Sequence, residues 1–60
     1  MINKYIYKLE VHFRFGNEQK DFDFHNIESY SLEEAVMKAK KLYRFTFAIY
    51  YNGVKQKLVN

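Results

Sequence analysis

Cysteine, proline and tryptophan are missing from this 60-residue sequence, and glycine occurs only twice. Without cysteine, a chain of this size depends on its apolar core, on oligomerisation or on a metal site built from histidine and carboxylates. No stretch is rich in proline, glycine or serine, so neither a linker nor a disordered tail is indicated. We therefore expect a single domain over residues 1–60.

Long apolar runs are lacking as well. No segment approaches the roughly 18 apolar residues of a membrane-spanning helix, and the amino terminus lacks the apolar stretch of a secretory signal. We expect a cytoplasmic protein without a membrane partner. Aromatic residues are abundant instead: six Phe and six Tyr make up a fifth of the chain, and such rings bury a large area for each residue ordered.

The net charge of +3 is unevenly distributed. Residues 1–30 hold four basic side chains against five acidic ones, whereas residues 31–60 hold six basic against two acidic. A surplus of positive charge in the second half indicates an anionic partner or surface. It does not by itself indicate nucleic acid.

The first half alternates between apolar and polar residues, which is typical of strands with one wet face. A long strand over residues 3–15 and a shorter one over 20–26 flank a turn at Gly16 and Asn17. Setting Gly16 opposite Gln19 turns Phe22 and Phe24 inward. The resulting outer pairs are Glu10 with His25, His12 with Asp23 and Arg14 with Asp21.

A helix follows this hairpin. Ser31 and Glu34 have the spacing of a capping box, and apolar residues recur at helical spacing over about 13 residues. The predicted inward stripe consists of Leu32, Ala35, Val36, Ala39, Leu42 and Tyr43.

Residues 45–51 alternate again and lead into Asn52 and Gly53, a dipeptide that favours a type I′ hairpin turn. This predicts a second hairpin with Phe47, Ile49 and Tyr51 inward. The sum is a two-layer ββαββ fold of the α+β class, in which one helix packs on one face of a four-stranded antiparallel sheet. The first strand outruns its hairpin partner, so its amino-terminal half needs another neighbour. We assign the third strand, giving the order 2-1-3-4.

Four side chains of the first hairpin are suitable metal ligands. In the predicted register Glu10, His12, Asp23 and His25 form adjacent cross-strand pairs, and zinc accepts such donors. The alternative is that they are complementary surface pairs worth little in water. We favour the surface pairs, because flat sheet faces seldom converge four side chains on one point, and we expect no cofactor.

The uncovered sheet face carries basic residues around Tyr50, an arrangement that suits stacked and neutralised single-stranded nucleic acid. The simpler alternative is a solvated face kept charged against aggregation. The acidic Glu10, Asp21 and Asp23 share this face and favour the simpler alternative. The candidate nucleic-acid residues are Lys4, Lys8, Arg14, Tyr50, Lys55 and Lys57.

No catalytic constellation or phosphate-binding loop is present, and so small a two-layer fold has little room for a closed pocket; we expect no enzyme and no small-molecule substrate. The leading hypothesis is a protein-binding module that uses strand edges and marginal aromatic residues, with self-association as one form; nucleic-acid binding is the alternative. The candidate partner-binding residues are Tyr5, Tyr7, Phe15 and Tyr51.

The helix start at residues 31–35, followed by Asn52 and Gly53, resembles small ββαββ domains of bacterial and phage proteins. The pattern covers roughly the second half of the chain and assigns no family. The abundance of Lys, Asn, Ile, Tyr and Phe is typical of an AT-rich genome. An accessory or inhibitor protein of a phage or mobile element is therefore one predicted setting.

Overall fold

The computed structural model describes residues 3–16 and 19–58. Two long strands come first, then one helix, then a strand of seven residues and a strand of two. The elements are β1 (Tyr5–Phe15), β2 (Gln19–Ser29), α1 (Leu32–Lys40), β3 (Phe45–Tyr51) and β4 (Val54–Lys55). No helix in the described ranges is long and apolar enough to cross a membrane.

The four strands form one antiparallel sheet in the order β2-β1-β3-β4. The predicted ββαββ fold and its strand order are therefore confirmed. Two details differ: β2 is as long as β1, with 11 residues each, and β3 pairs with residues 9–14, in the second half of β1 rather than the first. The first hairpin is thus a long ribbon, whereas a nine-residue helix is only about 14 Å long.

The register of the first hairpin differs by one residue from the predicted one. Phe15 pairs with Gln19, and Gly16 has a φ of +59, a left-handed conformation that glycine adopts readily. Gly16 therefore belongs to the connection and not to the paired strand; Asn17, predicted to share the turn, lies outside the described residues. The resulting pairs are Arg14 with Lys20, Phe13 with Asp21, His12 with Phe22, Val11 with Asp23 and Glu10 with Phe24.

This shift turns every side chain of β2 to the opposite side of the sheet, because side chains alternate with a period of two. Phe22 and Phe24, predicted to face the helix, lie on the side away from it and are each 51% exposed. Asp21, Asp23 and His25 lie on the helix side instead. The inward prediction for both phenylalanines is therefore wrong.

The helix begins as predicted. Ser31 is its N-cap and accepts a hydrogen bond from the Glu34 backbone N–H at 3.1 Å. The Glu34 carboxylate accepts a second hydrogen bond, at 2.7 Å, from the hydroxyl of the fully buried Ser29. This bond, together with Lys38, holds the pKa of Glu34 below its ordinary value, so the end of β2 is tied to the first turn of α1.

The helix ends earlier than predicted. It stops at Lys40, and Leu42 is exposed instead of joining the inward stripe. Tyr43 does pack against the core. Its ring stacks on Phe13 with centroids 3.7 Å apart, covering part of the ribbon that the short helix does not reach.

A β-bulge changes the direction of Phe47. Between His12 and Phe13 the pairing of β1 with β3 moves from Ala48 to Thr46, which leaves Phe47 as the additional residue. Its ring lies 6.1 Å from the ring of His12, on the side away from the helix. Phe47, predicted to point inward, therefore faces outward, because an added residue breaks the alternation of the strand.

The second turn has the predicted conformation, with φ of 51 at Asn52 and 78 at Gly53. It pairs Tyr50 with Lys55 and Tyr51 with Val54. Strand β4 is shorter than predicted, although the Gln56 backbone still donates to the Ile49 carbonyl at 2.7 Å.

The core lies between α1 and the central strands. Its fully or almost fully buried apolar side chains are Leu9, Val11, Ala35, Val36, Ala39 and Ile49. Partly buried side chains surround them, among them Tyr7, Ile27, Leu32, Tyr51 and Leu58. The helix therefore seals one side of the sheet only.

Candidate functional site

The side of the sheet opposite α1 is here called the open face. Neither the helix nor any strand of the described ranges packs over it. Strand register and ring contacts assign its side chains. They are Ile6, Lys8, Glu10, His12, Arg14, Lys20, Phe22, Phe24, Asn26, Glu28, Phe45, Phe47, Ala48, Tyr50 and Lys55.

An aromatic cluster occupies the middle of the open face, with His12 at its centre. The His12 ring stacks on Phe22 at a centroid distance of 5.2 Å and an interplanar angle of 19°. It meets the rings of Tyr50 and Phe47 edge-on, at 5.0 Å and 6.1 Å. Phe24 extends the cluster and lies 6.0 Å from Phe22. The cluster thus spans β2, β1 and β3 and presents partly exposed rings to solvent.

Basic side chains lie over these rings. The Lys8 ammonium is 5.2 Å from the Phe24 centroid. Lys20 and Arg14 approach Phe47 at 5.5 Å and 5.9 Å. A cation over an aromatic face is attracted by the ring quadrupole, by roughly 0.5–1 kcal/mol at exposed sites. The positive charges are therefore held beside the exposed rings.

The electrostatics of the open face follow from the register. Its described carboxylates are Glu10 and Glu28, and the Glu10 carboxylate is hydrogen bonded to His12 Nε2 at 2.5 Å. Asp21 and Asp23, predicted to share this face, lie on the helix side. The one-residue shift therefore exchanges two acids for Lys20, Phe22 and Phe24, making the face more basic and more aromatic than the sequence predicts.

A shallow pocket of about 190 Å³ opens on this face. Glu10 lies between Phe24 and Tyr50, its cross-strand partners on the two sides. The pocket is lined by Lys8, Glu10, Phe24, Tyr50, Asn52 and Gly53.

The candidate nucleic-acid residues are divided by the structure. Lys8, Arg14, Tyr50 and Lys55 come together on the open face. Lys4 lies over the ring of Tyr30 at 5.3 Å. Lys57 lines a separate pocket of about 430 Å³ with Leu32, Glu33, Val36 and Gln56, beside the start of the helix.

Sequence reasoning missed most of the aromatic cluster. The sequence pattern predicts core positions for Phe22, Phe24 and Phe47, and it gives no reason to select Lys20. The Asp-Phe-Asp-Phe alternation of β2 favours the inward assignment on hydrophobic grounds, and it contains no sign that Gly16 lies in the connection instead of pairing with Gln19. The sequence contains no signal for the bulge at Phe47.

The predicted metal-ligand set is separated. Glu10 and His12 lie on the open face, whereas Asp23 and His25 lie on the helix side. Among the described residues no group of three or more histidine and carboxylate side chains is arranged to hold a metal ion. His25 Nε2 instead forms a hydrogen bond of 2.6 Å with the Tyr43 hydroxyl. Burial, and then the nearby Asp23 and Asp21, raise the pKa of that hydroxyl.

The candidate partner-binding residues occupy both ends of the ribbon. Tyr5, Tyr7 and Tyr51 form a ladder with centroid distances of 6.5 Å and 5.7 Å. Tyr7 and Tyr51 are half-buried against the core, whereas Tyr5 is exposed. Phe15 is at the far end of β1, about 33 Å away along an extended strand. The four residues therefore do not form one surface.

Strand β2 is an edge of the sheet, and its own side chains cover part of that edge. The Asp21 carboxylate accepts a hydrogen bond from the Phe22 backbone N–H at 2.7 Å, and Asp23 accepts one from Phe24 at 2.8 Å. Edge strands with free backbone donors recruit further strands, and charged side chains oppose this. The two aspartates therefore oppose self-association along β2.

We predict that the double substitution Asp21→Ala, Asp23→Ala promotes association through β2, because it frees two backbone donors and removes two charges from the edge. Sedimentation velocity over a concentration series measures the effect. The matched control is Glu10→Ala, Glu33→Ala, which makes the same change in net charge on the central strand β1 and on α1, away from the β2 edge. Equal sedimentation of the variant, the control and the wild type would contradict the role of the aspartates.

Comparison of the chain with protein-family models, with curated proteins and with solved structures found no match. A function for this chain therefore has to be inferred from the chemistry of its open face. Exposed rings can stack on planar apolar groups, and the surrounding ammonium and guanidinium groups can pair with anions. A ligand in which planar apolar groups alternate with anionic groups therefore fits this face.

Proposed function

We propose that this protein is a non-catalytic module that binds single-stranded nucleic acid on the open face. The observation that carries the proposal is the cluster of Phe22, Phe24, Phe47 and Tyr50 on one uncovered sheet face, with cations placed directly over its rings. This was the alternative hypothesis from the sequence, and the register of β2 makes it the stronger one.

The rings are arranged to receive bases. Phe22 and Phe24 are each 51% exposed and Phe47 is 40% exposed, and they lie on β2 and β3, the two strands that flank β1. Base stacking on an aromatic side chain is worth about 1–3 kcal/mol per base and tolerates any sequence. Unpaired bases are available for such stacking, whereas paired bases in a duplex are not. The face therefore favours single strands.

The cations are arranged to receive phosphates. Lys8, Arg14 and Lys20 contact rings of the cluster, and Lys55 pairs with Tyr50 at its margin. Their long side chains can keep the stem on a ring while the charged end turns to a neighbouring anion. A strand that stacks its bases on the cluster therefore brings its backbone within reach of these groups.

The proposal predicts a salt-dependent complex. We expect a fluorescently labelled 12-nucleotide single strand to bind, with log K falling linearly with log salt at a slope of about −0.7 per phosphate neutralised. Four basic side chains then give a slope of about −2 to −3. Fluorescence anisotropy from 20 to 300 mM salt, roughly spanning physiological ionic strength, measures this slope. The same sequence as a duplex is the control and should bind more weakly. No complex at the lowest salt would overturn the proposal.

The protein-binding hypothesis stays a prediction, and it concerns a different part of the molecule, the amino-terminal end of β1. Residues 5–8 of β1 pair with β2 but have no partner on the β3 side in the described strands, and the ladder of Tyr5, Tyr7 and Tyr51 adjoins this free edge. A strand added here would bury the exposed Tyr5 ring. Sedimentation equilibrium across a concentration series tests self-association at this site, and a strict monomer would leave only other partners.

A further inference from the structure

The pocket on the open face contains Glu10, one of the two described carboxylates of that face and the one that lies among the aromatic rings. Glu10 lies on β1 directly between Phe24 on β2 and Tyr50 on β3. All three residues line the pocket of about 190 Å³. A carboxylate repels phosphate, so Glu10 does not serve the electrostatic attraction of a nucleic-acid backbone. Its position among the rings and cations of the aromatic cluster therefore calls for a different explanation.

The spacing of the two strands that carry these rings leaves room for one planar group between them. Neighbouring strands are about 4.8 Å apart, so Phe24 and Tyr50 rise from backbones separated by about 10 Å. A planar group between the rings would have its edge directed at Glu10. The volume is below the roughly 300 Å³ at which pockets for drug-sized ligands begin, and it suits one nucleobase.

The carboxylate is held in place and retains hydrogen-bonding capacity. His12 Nε2 contacts Glu10 Oε2, and the His12 ring is fixed by Phe22 and Tyr50 on its two sides. An ionised carboxylate accepts about four hydrogen bonds and donates none. The contact with His12 uses Oε2, so the Oε1 atom of the same carboxylate can accept further hydrogen bonds. The pocket therefore offers acceptors to the edge of its occupant.

We propose that this pocket selects guanine, an inference that rests on the proposed single-strand binding. Guanine presents two adjacent donors, N1–H and the N2 amino group, and a carboxylate accepts from both at once. Adenine and cytosine place a ring-nitrogen acceptor beside their amino group, and this lone pair would face the carboxylate. Thymine and uracil offer a single N–H between two carbonyl oxygens. Guanine is thus the base that matches an acceptor-only partner.

Two further residues of the pocket fit this assignment. The Lys8 ammonium, held over Phe24, lies beside the pocket and can pair with the phosphate attached to the base. Asn52 carries a side-chain amide that can donate to the guanine O6 carbonyl. Gly53 has no heavy atom within 4 Å of where a Cβ would lie, so this side of the pocket is open to the chain of the ligand.

The test compares oligothymidylates of seven nucleotides whose central base is guanine, hypoxanthine, adenine, cytosine or thymine. A matching series of oligouridylates repeats the comparison in RNA. Anisotropy titrations at low salt give the dissociation constants. We expect guanine to bind about tenfold more tightly than adenine, cytosine or thymine. Hypoxanthine, which lacks the N2 amino group, should fall between them.

The variant Glu10→Gln should lose the preference for guanine, while the amide oxygen can still accept from His12. It should bind the all-thymine strand slightly more tightly than the wild type does, because one negative charge is removed. Glu28→Gln, at the other carboxylate of the open face, is the matched control and should keep the preference. Equal wild-type affinity for all five strands, or an unchanged guanine preference in Glu10→Gln, would overturn the pocket assignment while leaving single-strand binding in place. Absence of binding to every strand would overturn both.

Discussion

Replacing Phe22 with alanine should weaken the binding of a single-stranded oligonucleotide by roughly 5- to 150-fold, the equivalent of about 1–3 kcal/mol for one lost stacking partner. Phe22 lies in the middle of the open face, stacked on His12 and exposed on its other side. Because the ring is half exposed, its removal should cost little folding stability. A loss of affinity in this variant therefore reflects lost contacts with the oligonucleotide and not unfolding of the protein.

Phe15→Ala is the matched control for this prediction. Phe15 is on the same hairpin and is 47% exposed, almost the same as Phe22, but it follows Phe13 on the helix side of the sheet. Anisotropy titrations of both variants, with circular dichroism to confirm folding, make the comparison. The double variant Phe22→Ala, Phe47→Ala should bind more weakly still. If Phe15→Ala and Phe22→Ala lose the same affinity, the open face is not the binding surface.

The second large effect concerns stability. Leu9 is 0% exposed on the central strand β1 and contacts the core residues of the helix and β3. Truncating such a residue to alanine costs about 2–5 kcal/mol, through lost burial and the cavity left behind. A chain of 60 residues has a total stability of about 3–9 kcal/mol. Leu9→Ala should therefore leave a large part of the population unfolded.

Thermal unfolding followed by circular dichroism measures this loss. Each kilocalorie of destabilisation lowers Tm by about 4–8 °C in a domain of this size, so Leu9→Ala should lower it by about 10–30 °C or abolish the transition. Ile6→Ala is the control, because Ile6 is on the same strand but is 69% exposed. A wild-type Tm for Leu9→Ala would contradict the position of the core.

Much of the architecture is predictable from local patterns. The capping serine at position 31, the alternation over residues 45–51 and the turn at Asn52 and Gly53 all act over a few residues, and the structure has them where the sequence predicts them. The fold class and the strand order follow from combining such elements. These features depend on local chemistry that a single sequence contains.

The faces of the sheet could not be predicted in the same way. Burial of Phe22 and Phe24 favoured one register on hydrophobic grounds, but the short helix leaves that part of the ribbon without a cover, so there was no core for them to join. Gly16 instead lies in the connection, in a left-handed conformation, and Phe15 pairs with Gln19. The observed register differs from the predicted one by a single residue. This difference places Asp21 and Asp23 on the helix side, away from the basic residues of the open face, and places Phe22 and Phe24 beside those basic residues.

The candidate site was consequently only half predictable. Lys8, Arg14, Tyr50 and Lys55 follow from the alternation of strands whose outward residues were correctly assigned. The outward position of Phe47 depends on a bulge, and the pocket at Glu10 depends on the position of Phe24 beside it. A feature that depends on the register between two strands cannot be predicted correctly when the predicted register is wrong by one residue.

The proposed function requires that single-stranded nucleic acid stacks on the aromatic cluster of the open face. Its most direct test is NMR of the labelled protein with an unlabelled 12-nucleotide single strand, recording ring resonances and intermolecular NOEs. We expect NOEs from the bases to the rings of Phe22, Phe24 and Tyr50, with the resonances of Ala35 and Val36 on the helix side unchanged. Contacts confined to the helix side, or shifts of lysine resonances without any ring contact, would contradict it.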